Sequence, residues 1–527
     1  MTSDRTSARA SNAMIATPHH LATDAGLNIL RDGGSAMDAV IAANSALTVL
    51  YPDQTSIGGD CFFLVFDPAE DSVSAWNGSG PAPAAATADE LLEAGYDSMP
   101  RRGPSTITVP GTIDGWFAGH DRYGKLDMAE NLRKAVSLAR DGFPVSPRLA
   151  RAIANESGVL NQLPYVGEAM MPGGRIPNAG DMLVFPKLAS SLELIGLSGR
   201  DVFYTGSIAE SISTYLQDIG GWLTADDLAS YQGEWVEPLE IDYRGTTVIG
   251  FPPNSQGITS LIALGLMELE DVDQEWDNAA NLHVQIEAKK RAFRVRDSEI
   301  ADPRFCDIDT SDLLSKESLR NLWSDFDPEY AGQGQSDHSG DTVYLTAVDS
   351  DGLAVSMIQS MFQAFGSGVA DPQTGIILQN RGSSFSLNPE RRNVLEAGKR
   401  PRHTLMPSMM LLDGTFRGSF GTQGGDVQAQ VHIQLAADVI DHGFDPQQAI
   451  DLPRWLSGGP NGPNEVLLEQ GFPEKTIAGL ARRGHGVIVI DKWNGGAGHA
   501  QMILRDPDSG DLLGGADPRA DGKAEGI

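Results

Sequence analysis

The sequence predicts an α+β protein built in layers, and three observations carry that expectation. Helical stretches and apolar strands are mixed through the first 330 residues. Beyond residue 342 the texture changes to short strands separated by regular turns, of the kind that pair antiparallel. No tandem repeat is present, which argues against a solenoid or propeller.

Taken in order, ATDAGLNILRDGG ends in a glycine pair that stops a helix, and Ser35 or Asp38 serves the start of the next, AMDAVIAANSALTVL. SIGGDCFFLVFD predicts an apolar strand behind a Gly-Gly turn, and SVSAWNGSG a second strand ending in a Gly/Pro loop. Residues 110–150 read as helix broken by glycine, and 276–300 as a long amphipathic helix. Residues 331–341, AGQGQSDHSGD, hold no apolar residue after Ala331 and predict an exposed linker. TVYLTAVD, AVSMIQS, GIILQN, PSMMLLDG and FRGSFGT then predict strands, followed by a helix at 428–442 and strands at 487–491 and 499–505.

Composition narrows the function. At 527 residues with 41% hydrophobic content, the chain can bury a large core. Two cysteines, Cys61 and Cys306, far apart in sequence, exclude a disulfide framework and a cysteine-rich zinc site. No CxxC, HExxH or Walker A loop occurs, so neither a metal nor a nucleotide cofactor is expected. No signal-like segment and no membrane-length apolar run is present, and the expected location is cytoplasmic. A net charge of −32 argues against nucleic acid and anionic membrane as partners and fits a hydrated surface in a salt-rich cytoplasm.

One strand start raises a chemical question. If the chain were cut between Asp341 and Thr342, Thr342 would carry both a hydroxyl nucleophile and a free α-amine. Such an amine titrates near 7.7–8.0 (a reference range, about) and can act as base for its own hydroxyl. The same hydroxyl can make the cut by attacking the Asp341 carbonyl. Taken alone, Gly340-Asp341 reads as an ordinary turn before a strand. A second stretch, GSFGTQGGDVQAQ, places Gly424 and Gly425 between a strand and a helix, where backbone N–H groups can face an oxyanion. Asp426 suits a helix cap, Cys61 a buried thiol, and the pair His19-His20 a structural role. Asp517-Pro518-Arg519 suits a turn beside the core.

These stretches, with SIGGDCFFLVFD, VPGTIDGWFAGHDRYG, LARDGFPV, RVRDSEIADPRF, FGSG and GGADPRADG in this order, resemble the γ-glutamyltransferase (glutathione hydrolase) family of N-terminal-nucleophile hydrolases. The resemblance implies a four-layer αββα sandwich. It implies a proenzyme cut into a large segment, 1–341, and a small one, 342–527, that stay together as one structural unit. It also implies Thr342 as nucleophile, Ser360 as its hydroxyl partner, and Gly424 and Gly425 as oxyanion donors. The partners implied are a small-molecule amide and, as acyl acceptor, water or an amine, with room for a higher oligomer.

The residues that hold a γ-glutamyl head in that family are mostly replaced. Ser79 stands where an arginine is expected, Phe362 for an asparagine, and Arg381 for an amide or acidic residue. Ser384 replaces an aspartate, and His403-Thr404 a serine pair. The pattern is similar to a divergent bacterial branch that includes oxamate-type amidohydrolases and cephalosporin-acylase-like members. It points to Arg381, with His403, binding an acyl group that bears a carboxylate but no α-amine. Two alternatives stand beside this: true γ-glutamyl transfer from glutathione, and an unprocessed paralogue that only binds a small acid.

Overall fold

The computed structural model describes residues 5–271, 273, 275–335, 340–459 and 462–527. Two seven-stranded sheets, antiparallel at every pairing, form its middle. One runs in the order 523–526, 14–17, 341–348, 354–362, 60–67, 72–78, 234–236. The other runs 8–10, 512–516, 501–505, 415–421, 408–412, 246–250, 239–243. Phe62, Tyr344 and Ile358 of the first meet Met409 and Ile503 of the second in a shared core.

Each sheet carries helices on its outer face. Val343, Leu345 and Ala347 pack with the helix Ala36–Leu50, whereas Met410, Phe420 and Met502 pack with the helices Gly257–Met267 and Val427–Ile440. The result is the four-layer α+β sandwich that the resemblance implies. Strand Asp341–Val348 is covered on both faces, which explains its nearly unbroken apolar reading. Both large sheets combine strands from before and after residue 341, so neither segment completes either of them alone.

Local signals explain most element boundaries. Ser35 and Asp38 form a reciprocal capping box at the start of Ala36–Leu50: the Asp38 N–H donates to Ser35 Oγ (3.1 Å) and the Ser35 N–H to Asp38 Oδ2 (2.9 Å). Residues 110–150 hold the helices Thr112–Tyr123 and Met128–Asp141, and no helix of the described residues is long and apolar enough to cross a membrane.

Three expectations are corrected. GIILQN is not a strand: Ile377 and Leu378 make only isolated bridges to Ala370 and Gly58. Gly375 breaks the run with φ 72°, and the Gln379 and Asn380 side chains are drawn to Asp60 and the Arg101 carbonyl. The helix Ala279–Glu299 is not amphipathic but buried nearly all round, with Glu287, Lys289, Lys290, Arg291 and Arg296 inside. Apolar spacing misleads there because ion pairing, not solvent, satisfies the charges: Glu287 takes Lys290 at 2.8 Å and Arg291 at 2.7 Å.

Finally, the described part of the linker is held rather than loose. The Gly332 N–H donates to Glu287 Oε1 (3.1 Å), its carbonyl accepts from Lys290 (2.8 Å), and the Gly334 N–H donates to Asn464 (2.9 Å). Residues 336–339 of that linker lie outside the described residues.

The C-terminal turn carries a buried ion network. Arg519 donates to Glu469 and to Asp517 (3.0 Å), and Arg454 donates to Asp517 (2.7 Å), all away from solvent. Arg519→Ala leaves Glu469 charged and unpaired, and is expected to destabilise the fold by about 3–5 kcal/mol. Chemical denaturation reads this as a lower unfolding midpoint; an unchanged midpoint would show that the network is dispensable.

Candidate active site

Strand Asp341–Val348 pairs with Ala354–Phe362, but the register slips at its first residues. Asp341 opposes Phe362 while Val343 opposes Gln359, so Ser360 and Met361 together face Thr342. A bulge of this kind re-aims a side chain. Here it brings two hydroxyls together: Thr342 Oγ1 donates to Ser360 Oγ at 3.2 Å.

Ser360 Oγ in turn donates to the Asp341 carbonyl at 2.5 Å and accepts from the Phe362 N–H at 2.7 Å. Its one proton and both lone pairs are thereby used. In this uncut chain the carbonyl of the Asp341–Thr342 bond thus has a hydroxyl donor already in place.

The Asp341 side chain is half-buried, and beside it Gln54 donates its amide nitrogen to the Thr342 carbonyl (3.2 Å) and accepts from Arg148 Nη2 (2.6 Å). Burial and the nearby Asp53 push the Asp341 carboxyl up to about 6, against the pull of Arg148. Arg148 holds Asp53 through two bonds (3.0 and 2.5 Å) and lies 4.3 Å above the Tyr51 ring.

The glycine pair adopts backbone that favours glycine, with φ 129° at Gly424 and 60° at Gly425. It joins strand Thr415–Gly421 to helix Val427–Ile440. Gly340 runs directly over it: a methyl group on Gly340 would come within 3.1 Å of Gly425 Cα and 3.3 Å of its N. The Gly425 carbonyl accepts from Gln256 Nε2 at 3.0 Å. Asp426 sits at the helix start without a side-chain cap; its carboxylate is turned instead to buried Arg296 at 2.9 Å.

Arg381 opens a short turn, Arg381–Ser384, and is buried completely. Its guanidinium lies 4.0 Å from the Phe362 ring centre, and Phe362 holds φ 81°, an uncommon value for a bulky residue. Nη1 donates to Thr404 Oγ1 at 3.1 Å, while Nε and Nη2 find no partner among the described residues. Burial pulls this guanidinium down to about 9, opposed by Asp60 and Asp426.

Asp60 is the counter-charge. Its carboxylate accepts from Gln379 Nε2 (2.9 Å), the Gly111 N–H (3.1 Å) and His403 Nε2 (2.9 Å). Burial pushes it up to about 7, with Arg381 the strongest opposing influence. His403 Nδ1 accepts from the Leu405 N–H (3.2 Å), so Nε2 carries the proton and the ring is neutral. Burial first, and Arg381 second, hold its pKa well below the usual histidine value.

The sequence-predicted residues therefore divide. Thr342, Ser360, Phe362 and Gly425 lie around the Asp341–Thr342 bond, with Arg381 behind Phe362 and Thr404 bonded to Arg381 in turn. His403 is committed to Asp60 and the Leu405 N–H rather than turned toward a ligand. Ser384 Oγ is turned to the Arg381 and Arg402 carbonyls (2.9 and 3.1 Å) beside a separate cleft of about 380 Å³. Ser79 accepts from Asn254 at 3.0 Å.

Asp60, Gln54, Asp53 and Arg148 were not foreseen as site residues. Asp60 had a signal, an acid opening an otherwise apolar strand; Arg148 had none, since only the folded chain brings it to residue 341. Elsewhere, His283, Glu287 and His485 hold ligand-type atoms within 4.8 Å of one another. Glu287 is already matched by two cations and His283 Nδ1 bonds His485 Nε2 (2.8 Å), so this cluster reads as a closed network.

Comparison with known proteins places this geometry. The family model described as gamma-glutamyltranspeptidase matches residues 22–527. The glutathione hydrolase-like YwrD proenzyme of Bacillus subtilis is 41% identical over 518 residues, covering 98% of both chains. The oxamate amidohydrolase proenzyme of Klebsiella pneumoniae is 38% identical over 525 residues, again covering 98% of each. A crystal structure of cephalosporin acylase from Bacillus halodurans superposes with a TM-score of 0.95 at 38% identity, covering 100% of this chain and 98% of that one. The chain belongs to the γ-glutamyltranspeptidase family and is an amidohydrolase or acyltransferase of its N-terminal-nucleophile type.

Proposed function

We propose that the chain is a proenzyme that cuts itself between Asp341 and Thr342, then hydrolyses, or transfers the acyl group of, a small amide whose acyl part carries a carboxylate. The observation that carries the first half is the Thr342–Ser360–Asp341 hydrogen-bond chain. Thr342 Oγ1 attacks the Asp341 carbonyl carbon, and the Ser360 hydroxyl donates to the oxygen that gains negative charge. The C–N bond breaks, its nitrogen takes the proton, and water hydrolyses the ester to leave an Asp341 carboxylate and a free Thr342 amine. The segments 1–341 and 342–527 stay joined because both contribute strands to each large sheet.

In turnover the neutral α-amine accepts the Thr342 hydroxyl proton as Oγ1 attacks the substrate carbonyl. The N–H groups at Gly424 and Gly425, the latter beside Gly340 in the uncut chain, serve the oxyanion. The leaving nitrogen takes the proton back, and water or an amine releases the acyl group. No cofactor enters these steps.

The acyl preference rests on Arg381, buried with two unpartnered donors. A carboxylate there supplies charge-assisted bonds that the site otherwise lacks. Glutathione is disfavoured: Ser79 offers no cation for an α-carboxylate, and Ser384 no anion for an α-amine. An unprocessed binding paralogue is disfavoured by the intact hydroxyl pair and glycine pair.

Ser360→Ala is expected to slow self-cleavage by about 10²–10³-fold, read as uncut chain on denaturing gels over time; cleavage at the wild-type rate would remove Ser360 from the mechanism. Arg381→Ala is expected to raise KM for anionic amides by about 10–100-fold, with a far smaller effect on neutral ones. Equal effects on both would contradict a carboxylate contact. As pH falls through about 7, Asp60 gains a proton and ceases to neutralise Arg381. A monocarboxylate inhibitor should therefore bind more tightly at pH 6 than at pH 8, and Asp60→Asn should flatten the dependence; a Ki that rises with acidity would reverse this electrostatic account.

A further inference from the structure

Gln54 bonds to both strands of the pair that carries the chemistry, at the place where they slip past each other. Asp341 opposes Phe362 and Val343 opposes Gln359, so neither Thr342 nor Met361 has a partner in the register of this pair. Gln54 serves both residues. Its main-chain carbonyl accepts from the Met361 N–H (3.2 Å), and its side-chain nitrogen donates to the Thr342 carbonyl (3.2 Å). Its neighbours run the same course: the Asp53 carbonyl accepts from the Phe365 N–H (2.9 Å) and the Ser56 carbonyl from Gln359 Nε2 (2.6 Å). Residues 53–56 thus brace the end of strand Ala354–Phe362, and Gln54 also reaches across to Thr342.

The orientation of that amide is not free. Its oxygen accepts from Arg148 Nη2 at 2.6 Å. A guanidinium can only donate and a carbonyl can only accept, so the oxygen must face Arg148 and the nitrogen Thr342. Arg148 is itself fixed by two bonds to Asp53 (3.0 and 2.5 Å) and by its place in the first turn of helix Pro147–Leu160, which Ser146 caps. Gln54 and Thr342 are each 1% exposed, so water does not compete for the bond between them.

Cutting the chain adds to what this bond does. Thr342 becomes a chain end, and ends lose order unless they are tied down. The first pair left in register is Val343 with Gln359. The contact of Thr342 with Ser360 uses the hydroxyl that has to react. The bond from Gln54 holds the residue by its main chain and leaves the hydroxyl and the amine free. We infer that Gln54 is a positioning residue for the Thr342 nucleophile, keeping the register slip in place before the cut and tying down the new chain end after it. It touches no substrate in this role. The inference rests on the proposed self-cleaving hydrolase and deepens it.

The test compares Gln54→Glu, which keeps an acceptor for Arg148 but offers Thr342 no donor, with Gln54→Met, which keeps the length and loses both bonds. Each is expected to slow self-cleavage by about 10–100-fold, the cost of a nucleophile roughly 1 Å out of place. On chain that has been cut, kcat for an accepted anionic amide should fall by a similar factor while KM stays within about twofold, because the Arg381 contact is untouched. In a Ser360→Ala background Gln54→Glu should slow self-cleavage by less than about threefold, since the two residues act through one alignment. A general loosening would instead lower the unfolding midpoint, raise KM and keep its full cost beside Ser360→Ala. That pattern, loss of folding in both variants, or cleavage and turnover at wild-type rates would overturn the positioning role and leave the hydrolase standing. Failure of the unaltered chain to cut itself would overturn the functional reading and this inference with it.

Discussion

The site is organised by the antiparallel pairing of strands Asp341–Val348 and Ala354–Phe362 and by the slip of register at its end. Both strands are covered on both faces, so their register is held by two packed cores at once. That rigidity lets a small local irregularity be useful. The bulge turns the Thr342 hydroxyl onto Ser360 and leaves the preceding carbonyl bonded to the same serine. Gly340 is pressed against Gly425 by the same geometry. A side chain at Gly340 would force the approach to the bond apart, which gives the glycine before Asp341 a physical reason.

Electrostatics supplies the second constraint. Arg381, Asp60 and His403 are all fully buried, and their states depend on one another. Asp60 stabilises the guanidinium at a distance while being bonded directly to neutral His403 and to Gln379. The imidazole therefore orients the acid, and the acid sets the potential at Arg381. A positioning role of this kind follows from the bonds His403 makes, and differs from the ligand contact that its sequence position suggests.

Much of the fold was legible because it depends on local signals. The Ser35–Asp38 capping box and the turn before strand Thr415–Gly421 announce themselves in a few residues. The helix Ala279–Glu299 did not read correctly, since its charges are matched by partners distant in sequence or by each other inside the core. GIILQN failed for the converse reason: its apolar run is strand-like, but side-chain bonds from Gln379 and Asn380 override it. Within the site, Thr342 and the glycine pair could be singled out in the sequence because the chemistry proposed for them needs only one or two adjacent residues. Asp60 and Arg148 could not, because each acts through a neighbour brought close only by folding.

The most direct test of the account is the intact mass of the purified protein beside that of Thr342→Ala, followed by determination of the N-terminal residues of any fragment. The account predicts two species from the unaltered chain, ending at Asp341 and beginning at Thr342, and one uncut chain from the variant. A single uncut chain from both, or cleavage elsewhere that survives Thr342→Ala, would contradict it.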